Sequence, residues 1–346
     1  MTKTNASKSR RRAANLSAKP LKVCHYTAYN GSGMAAVARS LVEAEKQLGL
    51  DSHLVNIQET TPGEWDRYAD ADIHVSHTHF PDQMRKKLTK PLKLVWVSHG
   101  TPEHVFNSAV EDSEKGYGHS DGFMLFQFWM RSADARVTFW PRHAALMETM
   151  THKGVGIHCF DLGVNLKFWG GGASLGKYAG NPSVWSGENC HAIKYPLDLF
   201  LMWPLVYPQL DGASLHVSYL PTNQHRYFFP LVNANGASYA SHISPICWPH
   251  DQLRNIFKSV DFFIGLVKYG DHNRLSLEAN AAGGCKTISY AGNEYSDFWL
   301  PEGDQRIAAA ELVKILQGEV KARKKKPVAD VSETAQNMIK VYESIL

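Results

Sequence analysis

Residues 270–292 read GDHNRLSLEANAAGGCKTISYAG: a short polar loop, then a helix carrying one acid, then a strand. An apolar run precedes them at residues 261–267 (DFFIGLV), and a second strand closes them at residues 286–290. The helix predicted near residues 274–282 therefore joins parallel strands as a βαβ unit. Such a unit turns the free N–H groups and positive dipole end of its helix toward a phosphate. Gly270, Asp271, His272 and Asn273 in the loop, with Arg274 and Leu275 at the helix start, are the expected phosphate-facing residues. Glu278, about one turn inside, is placed to accept hydrogen bonds from ribose hydroxyls. The same stretch is equally an ordinary crossover helix with a solvated glutamate, so the rest of the chain has to decide between the two.

At 346 residues the chain exceeds the usual size of one core, and two domains are expected. Hydrophobic residues make up 44% and charged residues 20%, enough for each domain to bury a full core. Cys24, Cys159, Cys190, Cys247 and Cys285 are odd in number and show no CxxC spacing, which argues against a disulfide framework or a zinc site and for a reducing cytoplasm. The most apolar run, residues 195–207, is too short to span a bilayer and contains Pro196, Asp198 and Pro204. No secretory h-region is visible near residue 1.

The net charge of +4 is unevenly placed. Residues 1–22 carry Lys3, Lys8, Arg10, Arg11, Arg12, Lys19 and Lys22 without an acid, and residues 321–326 read KARKKK. Such runs can attract nucleic acid or an anionic membrane surface, and more often are simply solvated tails and loops. Residues 1–20, rich in Ser, Ala and Asn, are expected to be a disordered basic tail.

From residue 21 strands and helices alternate, which implies a parallel sheet covered on both faces. Strands are expected at residues 21–26, 52–57, 72–76, 92–98 and 136–139, and helices at 34–48, 81–88, 121–131 and 142–150. This Rossmann-like unit, residues 21–168, is followed by a glycine-rich linker, residues 169–179 (WGGGASLGKYA). A second α/β unit over residues 180–330 continues with strands at 182–185 and 214–219 and helices at 195–206 and 250–258, and a last helix covers residues 331–346. Two such halves would face each other across a cleft, with ligands beyond the carboxyl ends of the strands. The loops after Tyr26, Ser98 and Val267 are the ones so placed.

Gly31-Ser32-Gly33-Met34-Ala35-Ala36 satisfies the GxGxxG/A fingerprint, and Asp51 lies near the distance of a ribose-binding acid, which taken alone means NAD. Against this, residues 27–30 separate the strand from the first glycine, and Asp51 precedes the second strand instead of ending it. A longer glycine loop there lets a sugar or phosphate approach the helix beginning at Met34. Among 17 histidines, His74, His77 and His79 invite a metal, yet no carboxylate or cysteine completes the set. His99 ends a strongly apolar strand, where cleft residues belong. Lys194 and Lys268 lie near expected cleft loops and could neutralise phosphate; neither a GxSxG nor a P-loop is present.

Together these residues resemble the family 4 retaining glycosyltransferases of the GT-B fold, over roughly residues 21–320. The resemblance rests on NGSGMAAVARSL, VSHG, FDLGVNLKFW and SLEANAAGGCKTISYAG, four weak motifs in the family's order. It implies an α/β fold of two Rossmann-like domains, the N-terminal one binding an acceptor and the C-terminal one a nucleotide-diphosphate sugar. It also implies retention of configuration by front-face substitution without a metal or cofactor. Carried over by position, Gly31, Ser32 and Gly33 approach the donor, His99 lines the sugar pocket, Lys194 matches a diphosphate-binding lysine and Glu278 a ribose-binding glutamate. One departure stands out. The family's second glutamate, eight positions before Glu278, is here Gly270, with Asp271 beside it. A noncatalytic nucleotide- or nucleic-acid-binding protein on a transferase scaffold is thus one alternative, and an NAD-linked oxidoreductase another. The acceptor could be a glycan, a lipid-linked sugar at a membrane surface, or a hydroxymethylated base in phage-like DNA.

Overall fold

The computed structural model describes residues 19–28, 33–78, 80–99, 130–151, 156–187, 196–217, 237–239, 250–268 and 274–346. Six parallel strands form a first sheet: β1 (Lys22–Thr27), β2 (Asp51–Asn56), β3 (Ile73–Ser76), β4 (Leu94–Val97), β5 (Ala135–Thr138) and β6 (Ile157–Cys159). Their order is β2-β1-β3-β4-β5-β6. Six more form a second parallel sheet: β7 (Ser183–Ser186), β8 (Ser214–Val217), β9 (Ala237–Tyr239), β10 (Phe262–Ile264), β11 (Lys286–Tyr290) and β12 (Phe298–Leu300). Here the order is β12-β11-β10-β7-β8-β9. Every residue of β3, β4, β5 and β7 is buried, as strands covered on both faces must be.

The helices are α1 (Gly33–Gln47), α2 (Asp82–Arg85), α3 (Pro141–Met150), α4 (Leu166–Gly170), α5 (Pro196–Val206), α6 (His250–Phe257), α7 (Arg274–Ala282), α8 (Gln305–Leu316) and α9 (Val331–Ile345). The predicted helix over residues 274–282 is found at those bounds. It stops where Gly283 takes a φ of 72°, the left-handed conformation that ends helices cheaply. Strands β6, β9 and β12 and helices α4 and α8 lie beyond the elements read from sequence, and α4 takes in the first two residues of the predicted linker. The three strands are only three residues long, too short for a period to show. The predicted helix over residues 121–131 falls almost wholly outside the described residues, as do residues 1–18 of the basic tail.

The chain crosses between the halves twice, side by side. Outbound, Val164 forms a parallel bridge with Asp330 of the returning chain. Val164 N donates to Ala329 O at 3.1 Å, and Val331 N to Val164 O at 3.0 Å. Gly163 N donates to Thr334 Oγ1 at 2.7 Å, and Thr334 in turn to Asp161 O at 3.0 Å. The returning chain then becomes α9, whose first turn is closed by a capping box between Asp330 and Glu333. α9 packs on α1 of the first half. A single buried cluster runs through this junction, from Val23 and Ile73 by way of Leu162, Val164 and Trp169 to Trp185 and Phe263. The glycine-rich segment beyond α4 lies on the second half, where Leu175 N and Tyr178 N donate to Ser259.

Gly163 tolerates no side chain, because a Cβ there would lie 2.3 Å from Asp330 O and 2.7 Å from Val331 N, both backbone atoms. Gly163→Ala is expected to cost about 1–3 kcal/mol of overpacking, read as a lower urea midpoint.

Candidate functional site

In each sheet the strand order reverses once, between β1 and β3 in the first and between β7 and β10 in the second. Ligands of open α/β sheets bind at such points, beyond the carboxyl ends of the strands. α1 begins beyond β1, and α7 begins beyond β10. The two points meet: Arg274, first residue of α7, donates from Nη1 to the carbonyl of Gly33, first residue of α1, at 3.3 Å. A Cβ on Gly33 would have nothing within 4 Å, so the start of α1 is open on that side.

Arg274 also donates from Nε to Glu278 Oε1 at 2.7 Å. The pair is nearly sequestered, with side-chain exposures of 16% and 3%, so each charge depends on the other. Its order, Arg before Glu at i and i+4, runs against the helix dipole. Position next to an opposing half, more than helix stability, accounts for an arginine there. Leu275 is partly buried and packs against the main core. Gly31, Ser32, Lys194, Gly270, Asp271, His272 and Asn273 lie outside the described residues.

On the first sheet's side, His99 follows β4 and His77 follows β3. His77 Nδ1 is 2.7 Å from His99 Nε2, and His77 Nε2 is 2.9 Å from His25 Nδ1. Both ring nitrogens of His77 are thus engaged with imidazoles, and His74 Nδ1 is 2.8 Å from the Tyr26 hydroxyl. His79 lies outside the described residues, and no metal-holding group of three His, Cys, Asp or Glu occurs among the described ones. Burial, and then the charge of Arg274, push the His99 pKa down to about 3. Burial pushes His74 down to about 4, and burial with Arg274 and Arg39 does the same to His250. These imidazoles are neutral at pH 7.

Lys268 lies just beyond β10, as expected, and pairs with Asp198 of α5 at 3.7 Å. Asp198 also accepts from the Tyr290 hydroxyl at 2.5 Å. Asp51 is the first residue of β2, at the end of the strand away from the switch point, and its carboxylate lies 2.9 Å from His53. That position takes away the acid of the NAD fingerprint. The KARKKK run differs from a free basic loop: three of its five cations are committed internally. Arg323 stacks 3.2 Å over the Trp299 ring, Lys325 bonds Asn280 and Asp297, and Lys326 reaches Asp161 at 2.6 Å. No helix among the described residues is long and apolar enough to cross a membrane.

Sequence reasoning missed His25, Glu45 and Tyr342, which extend the histidine file inward. His25 Nε2 is 2.9 Å from Glu45 Oε2, and Tyr342 of α9 donates to Glu45 Oε1 at 2.7 Å. A signal was available, since Ala38, Leu41, Val42 and Glu45 share one helical stripe and an acid there is buried.

Two parallel Rossmann-like sheets meeting at their switch points, with the last helix returned to the first half, define the GT-B fold of glycosyltransferases. Solved structures match it along nearly the whole chain. A sucrose-phosphate synthase from Thermosynechococcus elongatus superposes with a TM-score of 0.66 at 12% identity, covering 94% of this chain and 96% of its own. A glycosyltransferase from Rickettsia africae gives 0.58 at 12% identity, covering 95% and 99%. HepE from Anabaena, solved with UDP and glucose, gives 0.58 at 10% identity, covering 94% and 95%. No family model and no curated protein matches the chain by sequence.

Two outcomes follow from the charges. Glu278→Ala strands the Arg274 guanidinium and should cost about 2–3 kcal/mol, near the low end for a broken buried pair because Arg274 keeps some exposure; Glu278→Gln should cost less, and urea denaturation ranks them. The depressed His pKa values mean that the unfolded chain binds protons the native chain refuses once the pH drops below about 6.5. Stability is therefore expected to fall as pH drops from 7 toward 4, with urea midpoints measured at steps through that range.

Proposed function

We propose that the chain is a glycosyltransferase that moves a sugar from a nucleotide-diphosphate donor of the UDP-sugar class to an acceptor hydroxyl, with retention of configuration. The observation that carries the reading is the Arg274–Glu278 pair at the start of α7, facing Gly33 and His99 across the junction of the halves. In this reading the amides of α7, the Arg274 guanidinium, Lys268 and Lys194 hold the diphosphate, and Glu278 accepts from the ribose hydroxyls. His99 contacts the donor sugar. The glycosidic bond to the diphosphate breaks as the acceptor oxygen approaches on the same face, and the leaving diphosphate takes the acceptor proton. Groups aimed at charge developing on that leaving group would carry most of the rate. Asp271 would take over the sugar contacts that Gly270 cannot make.

The acceptor is a hydroxyl of a glycan or a lipid-linked sugar. A DNA base is the weaker choice because most of the KARKKK cations are spent inside the protein. Thermal melting of the purified protein against nucleoside diphosphates, UDP-sugars and NAD(P) tests the donor. A ligand at 100 times its Kd adds about 2.7 kcal/mol to the native state. One UDP-sugar is expected to raise the Tm, and Glu278→Gln to abolish the rise. Stabilisation by NAD alone would overturn the reading in favour of an oxidoreductase, and nucleotide binding without sugar transfer or donor hydrolysis would leave a noncatalytic binding protein. The anomeric configuration of the product, read by proton NMR, decides retention.

A further inference from the structure

A file of buried polar side chains leads from His99 into the core of the first half, where neither substrate of the proposed transfer would reach. We propose that Glu45, His25 and His77 are positioning residues that fix the tautomer of His99, so that its Nδ1 presents a hydrogen-bond acceptor to a sugar hydroxyl. The inference deepens the donor-sugar reading of His99 and rests on it.

The direction of every proton follows from the innermost group together with a single proton on His25. Glu45 and Tyr342 are fully buried, as are His25 and Ser52. Burial alone would raise the Glu45 pKa, but its interaction with His25 and hydrogen bonds from His25, Ser52 and Tyr342 outweigh it and hold the carboxyl below its ordinary value. An ionised carboxylate only accepts. It takes the Ser52 hydroxyl at 2.6 Å, the Tyr342 hydroxyl at 2.7 Å and the His25 Nε2–H at 2.9 Å. In the arrangement proposed, His25 carries one proton, on Nε2, so its Nδ1 is an acceptor 2.9 Å from His77 Nε2, which then carries the proton; a second proton on His25 would reverse the file and put the His99 proton on Nδ1. His77 Nδ1 accepts in its turn, at 2.7 Å, from His99 Nε2–H. What remains on His99 is Nδ1 with its lone pair.

The geometry suits in-plane bonds. The three rings are inclined by only 26° and 31°, with centroids 5.2 and 5.0 Å apart, so they meet nitrogen to nitrogen near a shared plane. His77 is held well below its ordinary pKa by burial and by its two imidazole neighbours, and His99 by burial and Arg274, which keeps both rings neutral. Contributions come from β1, α1, β2, the ends of β3 and β4, and α9, so no member can turn without breaking a bond to another element.

The test is long-range proton–nitrogen NMR of the full chain labelled with 15N-histidine, from pH 5 to 9. The expected spectrum shows His77 and His99 neutral with the proton on Nε2. Glu45→Gln replaces the obligate acceptor by an amide that can also donate, and His77→Gln cuts the file in a second place. In either, the His99 nitrogen shifts are expected to move toward the average of the two tautomers. A wild-type His99 protonated on Nδ1, or an unmoved His99 in a folded variant, would overturn the proposal; if one variant fails to fold, the other and the wild-type spectrum decide. Tm shifts with UDP-sugars on the same samples separate the two ideas, since a wild type that binds none sinks the donor reading whatever the spectra show. Where the donor still binds, kcat for transfer should drop at least about tenfold in Glu45→Gln with the donor KM within about twofold, and an unchanged kcat would remove the link to the sugar.

Discussion

The paired crossing of the chain at Gly163–Val164 and Asp330–Val331 is the constraint on which the rest of this molecule depends. Two parallel sheets joined by one strand of chain could adopt many mutual orientations. Here the second passage is hydrogen-bonded to the first, and the buried cluster continues through both. Lys326 adds an ion pair to Asp161 on the same seam. The positions of α1 and α7 relative to each other, and with them the meeting of Gly33 and Arg274, are consequences of that seam. It also explains why α9 belongs to the first half although it ends the chain: once Val331 is bonded to Val164, a helix starting there has α1 as its neighbour.

Polar groups inside the first half are organised by a different necessity. A buried carboxylate costs several kcal/mol unless its lone pairs are used, and Glu45 uses them on three donors from three elements. Tyr342 supplies one of these, so the returned helix does more than cover apolar surface. An apolar core at this place would fold at least as easily. Retaining an acid, two imidazoles and a phenol in one file makes more sense if their order has a purpose at the outer end, where His99 stands.

Much of this was legible from residues alone. β4 announces itself as a short continuous apolar run because both faces are covered, and α7 is bounded by a polar loop before it and Gly283 after it. Other features were hidden for physical reasons. β12 has three residues and exists because β11 offers it a ladder. The KARKKK run looked like a solvated or nucleic-acid-binding patch because its partner Asp161 is 165 residues away, and a charge run says nothing about acids brought to it by folding. Glu45 sat in plain view on an apolar stripe, but only the strand order shows that His25 and His77 lie beside it. Of the phosphate-facing residues expected from the opening stretch, Arg274 stands at the junction of the halves, and Leu275 is partly buried against the main core.

Arg274 ties the two halves together electrostatically as well as by its bond to Gly33. Its charge is among the causes that lower His99 on the first half and His250 on the second. A cation at the start of α7 thus opposes protonation of the imidazole that faces it, while Glu278 keeps that cation in place from within its own helix. The two arrangements are linked: the second half presents positive charge at the start of α7, and the same charge helps to keep the His99 ring on the first half neutral. A substitution at Arg274 would therefore reach beyond the loss of one contact, since it alters both the charge at the start of α7 and the protonation of His99.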